Sequence, residues 1–183
     1  DYIFSGNQMT PYREDDPPGP VSTYGITKML GEENFRDIAT RGLILRTSWL
    51  YSAFGSNFVR TILNAGRAQK ELRVVDDQVG SPTWARDLAR HLLEILPPAM
   101  RMPQVEILHY SNEGQCSWYE LAAEVLTLAK CDCRIMPVRT EEYPAAATRP
   151  AYSVLDNTKI KQTFGLSLPH WKDSLRKCIE TLK

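Results

Sequence analysis

The run "RGLILRTSWLY", residues 41 to 51, places Leu43, Ile44 and Leu45 in direct succession. A strand wet on one side alternates apolar and polar residues, whereas consecutive apolar residues suit a sheet covered on both faces, the habit of parallel sheets flanked by helices. The run therefore reads as a buried strand over 43–48. Helical patterns stand on either side of it. Before it, Pro17, Pro18 and Pro20 keep the chain extended, Ser22 or Thr23 can cap free N–H groups, and Leu30, Glu32, Glu33 and Arg36 favour helix, which predicts a helix from about Ser22 to Thr40. After it, "GSNFVRTILNAGRAQK" carries Phe58, Ile62 and Leu63 at helical spacing.

The alternation continues along the chain. "LRVVDDQ" reads as a strand, and "SPTWARDLARHLLEIL" as a helix capped by Ser81, with Pro82 at its first position and Leu88, Leu92, Leu93 and Leu96 on its apolar face. "VEILHYS" is a strand. "SWYELAAEVLTLA" is a helix with Ser117 and Glu120 forming a capping box, and "CRIMPV" is a short strand. Residues 139–156 read as irregular, with Tyr143, Arg149, Pro150 and Tyr152 as bulky, binding-type side chains. Short helices follow at about 158–163 and 171–182. Such alternation predicts an α/β fold with a mostly parallel sheet. "DYIFSG" at 1–6 reads as the tail of a strand with no leader before it, as though the chain starts inside a fold.

Lys plus Arg and Asp plus Glu both number 22, so the net charge is zero and no general nucleic-acid or acidic-membrane surface is expected. No apolar run nears the roughly 20 residues of a membrane helix. The four cysteines, Cys116, Cys131, Cys133 and Cys178, are expected to be reduced thiols of a cytoplasmic protein. Cys131 and Cys133 lack a second ligand pair, and His91, His109 and His170 stand isolated, which argues against structural zinc.

Tyr24 and Lys28 lie four apart near the start of the first helix, so both side chains point into the same space. A phenol is a poor acid at neutral pH, and a neighbouring ammonium helps it by stabilising the phenolate left after proton donation. The pair therefore has the makings of a general acid or base. The bland alternative is a packed Tyr beside a solvated Lys, and spacing alone does not choose between them.

A longer series does. "DYIFSG", "PYREDDPPGPVSTYGITKMLGE", "LRTSWLYS", "NFVRTIL", "LRVVDDQVGSPTWARDLA", "YSNEGQCSWYELA" and "RPAYSVLDNTKI" follow one another from end to end. This series resembles the dTDP-4-dehydrorhamnose reductases of the extended short-chain dehydrogenase/reductase superfamily. The resemblance implies the C-terminal part of a Rossmann-like doubly wound parallel sheet plus a smaller mixed α/β substrate-binding domain. Residues 1–55 would belong to the first, with the Tyr-x-x-x-Lys helix. Residues 56–183 would form mainly the second, with 72–111 returning strands and a helix to the Rossmann-like part.

The family reduces the C4 ketone of dTDP-4-dehydro-L-rhamnose with NADPH or NADH. By resemblance Tyr24 would protonate the forming alkoxide, Lys28 would hold the cofactor ribose and favour the phenolate, and Thr47 and Ser48 would lie beside the nicotinamide. Trp49 would pack on the sugar, Asn57 and Phe58 would meet the diphosphate at a helix N-terminus, and Gln78, Ser81 and Thr83 would bond the nucleotide, with Gly80 allowing close approach. Arg149 would reach a phosphate or pair with Asp156. Turn chemistry accounts for Gly80, Ser81 and Pro82 equally well, and capping or ion pairing for Asp76, Asp77 and Asp87.

The Gly-rich pyrophosphate loop and the orienting Ser or Thr that precedes "DY" in the family are not in this sequence, so the chain is expected to be inactive alone. Some family members bind Mg2+ through carboxylates at a dimer interface. Unpaired sheet edges would favour a homodimer. Two other readings share the scaffold: a nucleotide-sugar epimerase or dehydratase, and a non-catalytic subunit like the regulatory β subunit of methionine adenosyltransferase. The "DDQVGSPT" loop together with Tyr24, Lys28 and Trp49 favours the reductase.

Overall fold

The computed structural model describes residues 2–143 and 147–182 of the 183-residue chain. In chain order its elements are α1 (Thr23–Ile38), β1 (Gly42–Thr47), β2 (Leu50–Tyr51), α2 (Phe58–Ala68), β3 (Glu71–Val75), β4 (Val79–Gly80), β5 (Thr83–Trp84) and α3 (Ala85–Ala99). Then come β6 (Val105–Tyr110), β7 (Cys116–Ser117), α4 (Trp118–Ala129), β8 (Arg134–Val138), a single 3-10 turn (Thr140–Glu142), α5 (Thr158–Phe164) and α6 (Trp171–Glu180). The α/β class holds, and the longer strands pair in parallel: β1 with β6 from Gly42↔Val105 to Thr47↔Tyr110, and β3 with β8 from Glu71↔Arg134 to Val75↔Val138. Short β2 and β5 are also parallel, and β4 and β7 antiparallel.

Helix boundaries follow local chemistry. Ser22 Oγ accepts from Gly25 N at 3.1 Å and starts α1, which puts Tyr24 in the first turn as expected. Ser117 and Glu120 close the expected capping box on α4. The Ser81 cap fails. Thr83 and Trp84 are drawn into β5 beside Leu50 and Tyr51, so α3 begins at Ala85, and the Ser81 hydroxyl donates to the Gly114 carbonyl instead.

The apolar face of α3 also differs from its leucine pattern. Leu92, Leu93 and Leu96 are exposed, while Asp87, His91, Ile95 and Ala99 turn inward. Two of the inward residues are polar but satisfied: Asp87 accepts from Asn112 Nδ2 and Ser174 Oγ, and His91 Nδ1 meets the Tyr110 hydroxyl at 2.7 Å. Asp76 and Asp77 accept from Ser117 and Thr140 hydroxyls. Among the described residues no group of three His, Cys, Asp or Glu could hold a metal ion.

Expected strand 43–48 is present one residue early, yet Leu43, Ile44 and Leu45 are only half-buried. The reason is that Ile44 and Leu45 border an open cleft, and the residue that β1 buries is Arg46. Residues 2–6 form no strand: Ile3 O accepts from Gly19 N, and Gly6 N donates to the Tyr12 hydroxyl, so their partners come from the following loop. Ile3 and Phe4 pack with Tyr12, Tyr152, Val154 and Leu155 in a small core. The largest core joins α2, α4 and α6 through Val59, Leu63, Leu121, Val125, Leu175 and Ile179.

Within the 139–156 stretch, Tyr143 and Arg149 are exposed and Pro150 and Tyr152 buried, and residues 144–146 lie outside the described residues. All four cysteines are free thiols, and burial pushes Cys178 up to about 11. No helix among the described residues is long and apolar enough to cross a membrane.

Candidate functional site

Between α1 and the C-terminal end of β1 opens a cleft of about 570 Å³, lined in part by Tyr24, Lys28, Glu32, Arg46, Thr47, Ser48 and Trp49. Here the structure brings together the two helix residues and the "TSW" run that the sequence singled out. Tyr24 is 53% exposed, and the Lys28 ammonium lies 5.3 Å from its ring centroid. The ring of Tyr2 meets Tyr24 edge-on at 6.5 Å. Burial raises the pKa of the Tyr2 phenol, while the Arg149 charge and a hydrogen bond with the Trp49 side chain pull the other way. Arg149 is exposed and does not line the cleft, and the charges felt by Asp156 come from Arg13 and Lys161.

Thr47 Oγ1 is buried and has no hydrogen-bond partner among the described residues, an acceptor and donor left available next to the cleft. Ser48 is committed: its hydroxyl donates to the Ser81 carbonyl at 2.8 Å. Trp49, in the link between β1 and β2, takes a left-handed conformation, φ 46°, which turns its side chain off the strand direction. Its indole lies flat on Trp118 and against Gly80, where an added Cβ would come 2.4 Å from Trp49 Cε2. Gly80 is required there by close approach.

The remaining predicted residues, Asn57, Phe58, Gln78, Ser81 and Thr83, lie outside the lining of this cleft. Thr83 N donates to the Trp49 carbonyl, and both Thr83 and Ser81 are buried. Gln78 is buried and donates through Nε2 to Thr140 Oγ1. Asn57 caps α2, accepting from Arg60 N through Oδ1 and donating through Nδ2 to the Ser52 and Phe54 carbonyls. Phe58 packs on Trp118 at 4.5 Å between centroids. Sequence reasoning missed Tyr2, Glu32, Arg46 and Trp118. A signal existed for Glu32, which repeats the Tyr24 to Lys28 spacing once more.

The model of the RmlD substrate binding domain family matches residues 1–183. The chain belongs to this family. Among curated relatives of this RmlD substrate binding domain is the spore coat polysaccharide biosynthesis protein SpsK of Bacillus subtilis, 43% identical over 182 residues, covering 98% of this chain and 62% of the relative. A solved dTDP-4-dehydrorhamnose reductase from Clostridium acetobutylicum superposes with a TM-score of 0.93 at 40% identity, over 99% of this chain and 63% of that one. The Bacillus anthracis reductase, solved in complex with NADP, gives 0.90 at 34% identity over 100% and 63%. This RmlD domain spans a little under two thirds of the length of the curated relatives it matches, 62% and 65% for the first two. The fold is that of the Rossmann-like reductases it superposes on.

Proposed function

We propose that the protein bearing this chain reduces the C4 ketone of dTDP-4-dehydro-L-rhamnose to dTDP-L-rhamnose with NADPH or NADH, and that this chain supplies the proton donor and most of the sugar-nucleotide pocket. The carrying observation is the shared cleft: Tyr24 and Lys28 on one helix face, opposite Thr47 and Trp49 at the end of a parallel strand. Open space at the carboxyl end of such strands is where α/β folds bind ligands.

A reduced nicotinamide, when bound, supplies the hydride that a ketone carbon accepts. The residues fit its ribose end, because the unpartnered Thr47 hydroxyl and the Lys28 ammonium border the same space. Tyr24 Oη gives its proton to the ketone oxygen as that oxygen gains negative charge. Lys28, beside the ring, stabilises the phenolate that remains, and solvent returns the proton because Tyr24 is half exposed.

For the substrate, the free amides at the α2 N-terminus, next to Asn57 and Phe58, suit the diphosphate, with Arg60 in that first turn adding positive charge. Exposed Arg149 serves a phosphate. The edge of the enclosed Trp49 ring borders the nucleotide sugar, and the buried Gln78, Ser81 and Thr83 are the frame behind it. Residues 1–55 act as the cofactor side and 56–183 mainly as the substrate side, with β6 and α3 returning beside β1. A dTDP-sugar is the partner and a homodimer in the cytoplasm the working form, and no group among the described residues is assigned to Mg2+.

The solved reductases at 34–40% identity support this reading over an epimerase. The test is incubation with NADPH and dTDP-4-dehydro-L-rhamnose, with product identified by mass. Formation of dTDP-L-rhamnose is expected. Consumption of neither reagent, by folded protein that binds NADPH, would refute the reading.

A further inference from the structure

Helix α1 carries the proposed proton donor yet is lightly held. Its one buried residue is Gly25, pressed on the Tyr2 backbone so that an added Cβ would lie 2.2 Å from the Tyr2 carbonyl oxygen. Near its C-terminal end Phe35 covers Gly42 of β1. Ile26, Leu30 and Ile38 are exposed. Between those two contacts Met29 packs on the small core of Ile3 and Phe4, and among the described residues one charged tether, Glu32 to Arg46, ties the helix to β1.

That tether is well built. Arg46 Nε lies 2.9 and 3.1 Å from the two Glu32 carboxylate oxygens and Nη2 lies 2.7 Å from Oε2, a forked pairing with side chains only 8% and 17% exposed. Arg46 is held from behind. It sits opposite His109 in the β1 and β6 register, and its Nη1 meets His109 Nε2 at 3.3 Å. His109 Nδ1 faces the Tyr12 carbonyl at 3.1 Å, so Nδ1 carries the proton and Nε2 accepts from Arg46. The guanidinium also lies 5.3 Å from the Phe4 ring centroid.

Glu32 follows Tyr24 and Lys28 at the same four-residue interval, and the three fall within about 80° of arc around the helix. All three line the same cleft as Arg46, Thr47 and Trp49. A forked pair fixes direction as well as distance, so it sets the turn of α1 about its own axis. We infer that Glu32 and Arg46 are positioning residues for the Tyr24 and Lys28 pair, holding α1 at the rotation that sends both side chains into the cleft. The inference deepens the proposed ketone reduction and rests on it for its kinetic consequence.

The test compares Glu32→Gln, Glu32→Asp and Arg46→Lys in the NADPH-loaded full-length protein, following kcat, KM and dTDP affinity. The ring resonances of labelled Tyr24 and their Overhauser contacts to Lys28 give a readout independent of turnover. Glu32→Gln and Arg46→Lys are expected to lower kcat at least about tenfold with KM and dTDP affinity within about threefold, since misplacing a reacting group by an ångström costs rate before binding. Tyr24 resonances should shift and its Lys28 contacts weaken, with Glu32→Asp recovering part of both. A kcat within about twofold of the natural protein, or a loss that only tracks loss of folded protein while the Tyr24 signals stay put, overturns the inference. If the natural protein reduces no ketone but the Tyr24 contacts still change in both variants, the reductase reading falls and the positioning role stands.

Discussion

The Trp49 indole lies on the Trp118 indole with ring centroids 3.5 Å apart and planes within 8°. One ring belongs to the link between β1 and β2 and the other to the first turn of α4, so the stack ties the cleft end of β1 to α4. Trp118→Ala should cost about 2–3 kcal/mol, below the range for a fully enclosed ring because Trp118 keeps some exposure. The same variant should expose Trp49, weaken dTDP binding and change tryptophan emission. Denaturant unfolding and calorimetry check it, and an unchanged dTDP affinity would remove the stack from the pocket.

Two glycines should respond in opposite ways to alanine. At Gly80 the new Cβ meets the Trp49 ring at 2.4 Å, so Gly80→Ala should destabilise by about 1–3 kcal/mol through forced displacement of the ring. At Gly31, inside α1, nothing lies within 4 Å, and Gly31→Ala should stabilise by about 0.5–1 kcal/mol through helix propensity. Thermal unfolding of both variants decides; stabilisation at Gly80 would mean the indole does not press on it.

His109 gives the fold an acid limit. Burial first, then the Arg46 charge, lowers its pKa from 6.5 to about 4. In the unfolded chain the imidazole takes up a proton near pH 6.5, while in the folded protein it stays neutral until about pH 4. Stability is therefore intact above the unfolded value and is lost as pH falls from about 6.5 towards 4, a total on the order of 3 kcal/mol. His91 is shifted in the same direction and adds to the slope. Urea midpoints across that range should fall steeply in the natural protein and less steeply in His109→Asn. Equal slopes would show that His109 is not what the acid attacks.

Much of the fold was legible because local signals and tertiary packing agreed. Ser22 before a run of helix formers, and Ser117 with Glu120 three residues on, satisfy the helix ends that their chemistry suggests. Where they disagreed, long-range partners won. Ser81 looked like a cap, but the parallel pairing of Thr83 and Trp84 with β2 delays the helix to Ala85. The leucines of α3 looked like its inner face, but Asp87 and His91 are buried against Asn112, Ser174 and Tyr110, partners that no hydrophobicity pattern within one helix reveals.

The candidate site divides in the same way. Tyr24, Lys28, Thr47 and Trp49 could be gathered from helix spacing, strand order and resemblance. The Glu32 to Arg46 pair links residues 14 apart across two elements, and Trp118 reaches Trp49 from 69 positions away, so neither is visible in local spacing. The left-handed backbone at Trp49 is likewise a tertiary product, with Gly80 and Trp118 enclosing the ring.

The central claim is that Tyr24 donates the proton. NADPH-dependent reduction of dTDP-4-dehydro-L-rhamnose by the full-length natural protein and by Tyr24→Phe, measured side by side, tests it most directly. Removing one hydroxyl from a half-exposed ring leaves the packing in place, so kcat should fall by about 100-fold or more while dTDP affinity stays within about threefold. Equal turnover by the two proteins would contradict the account.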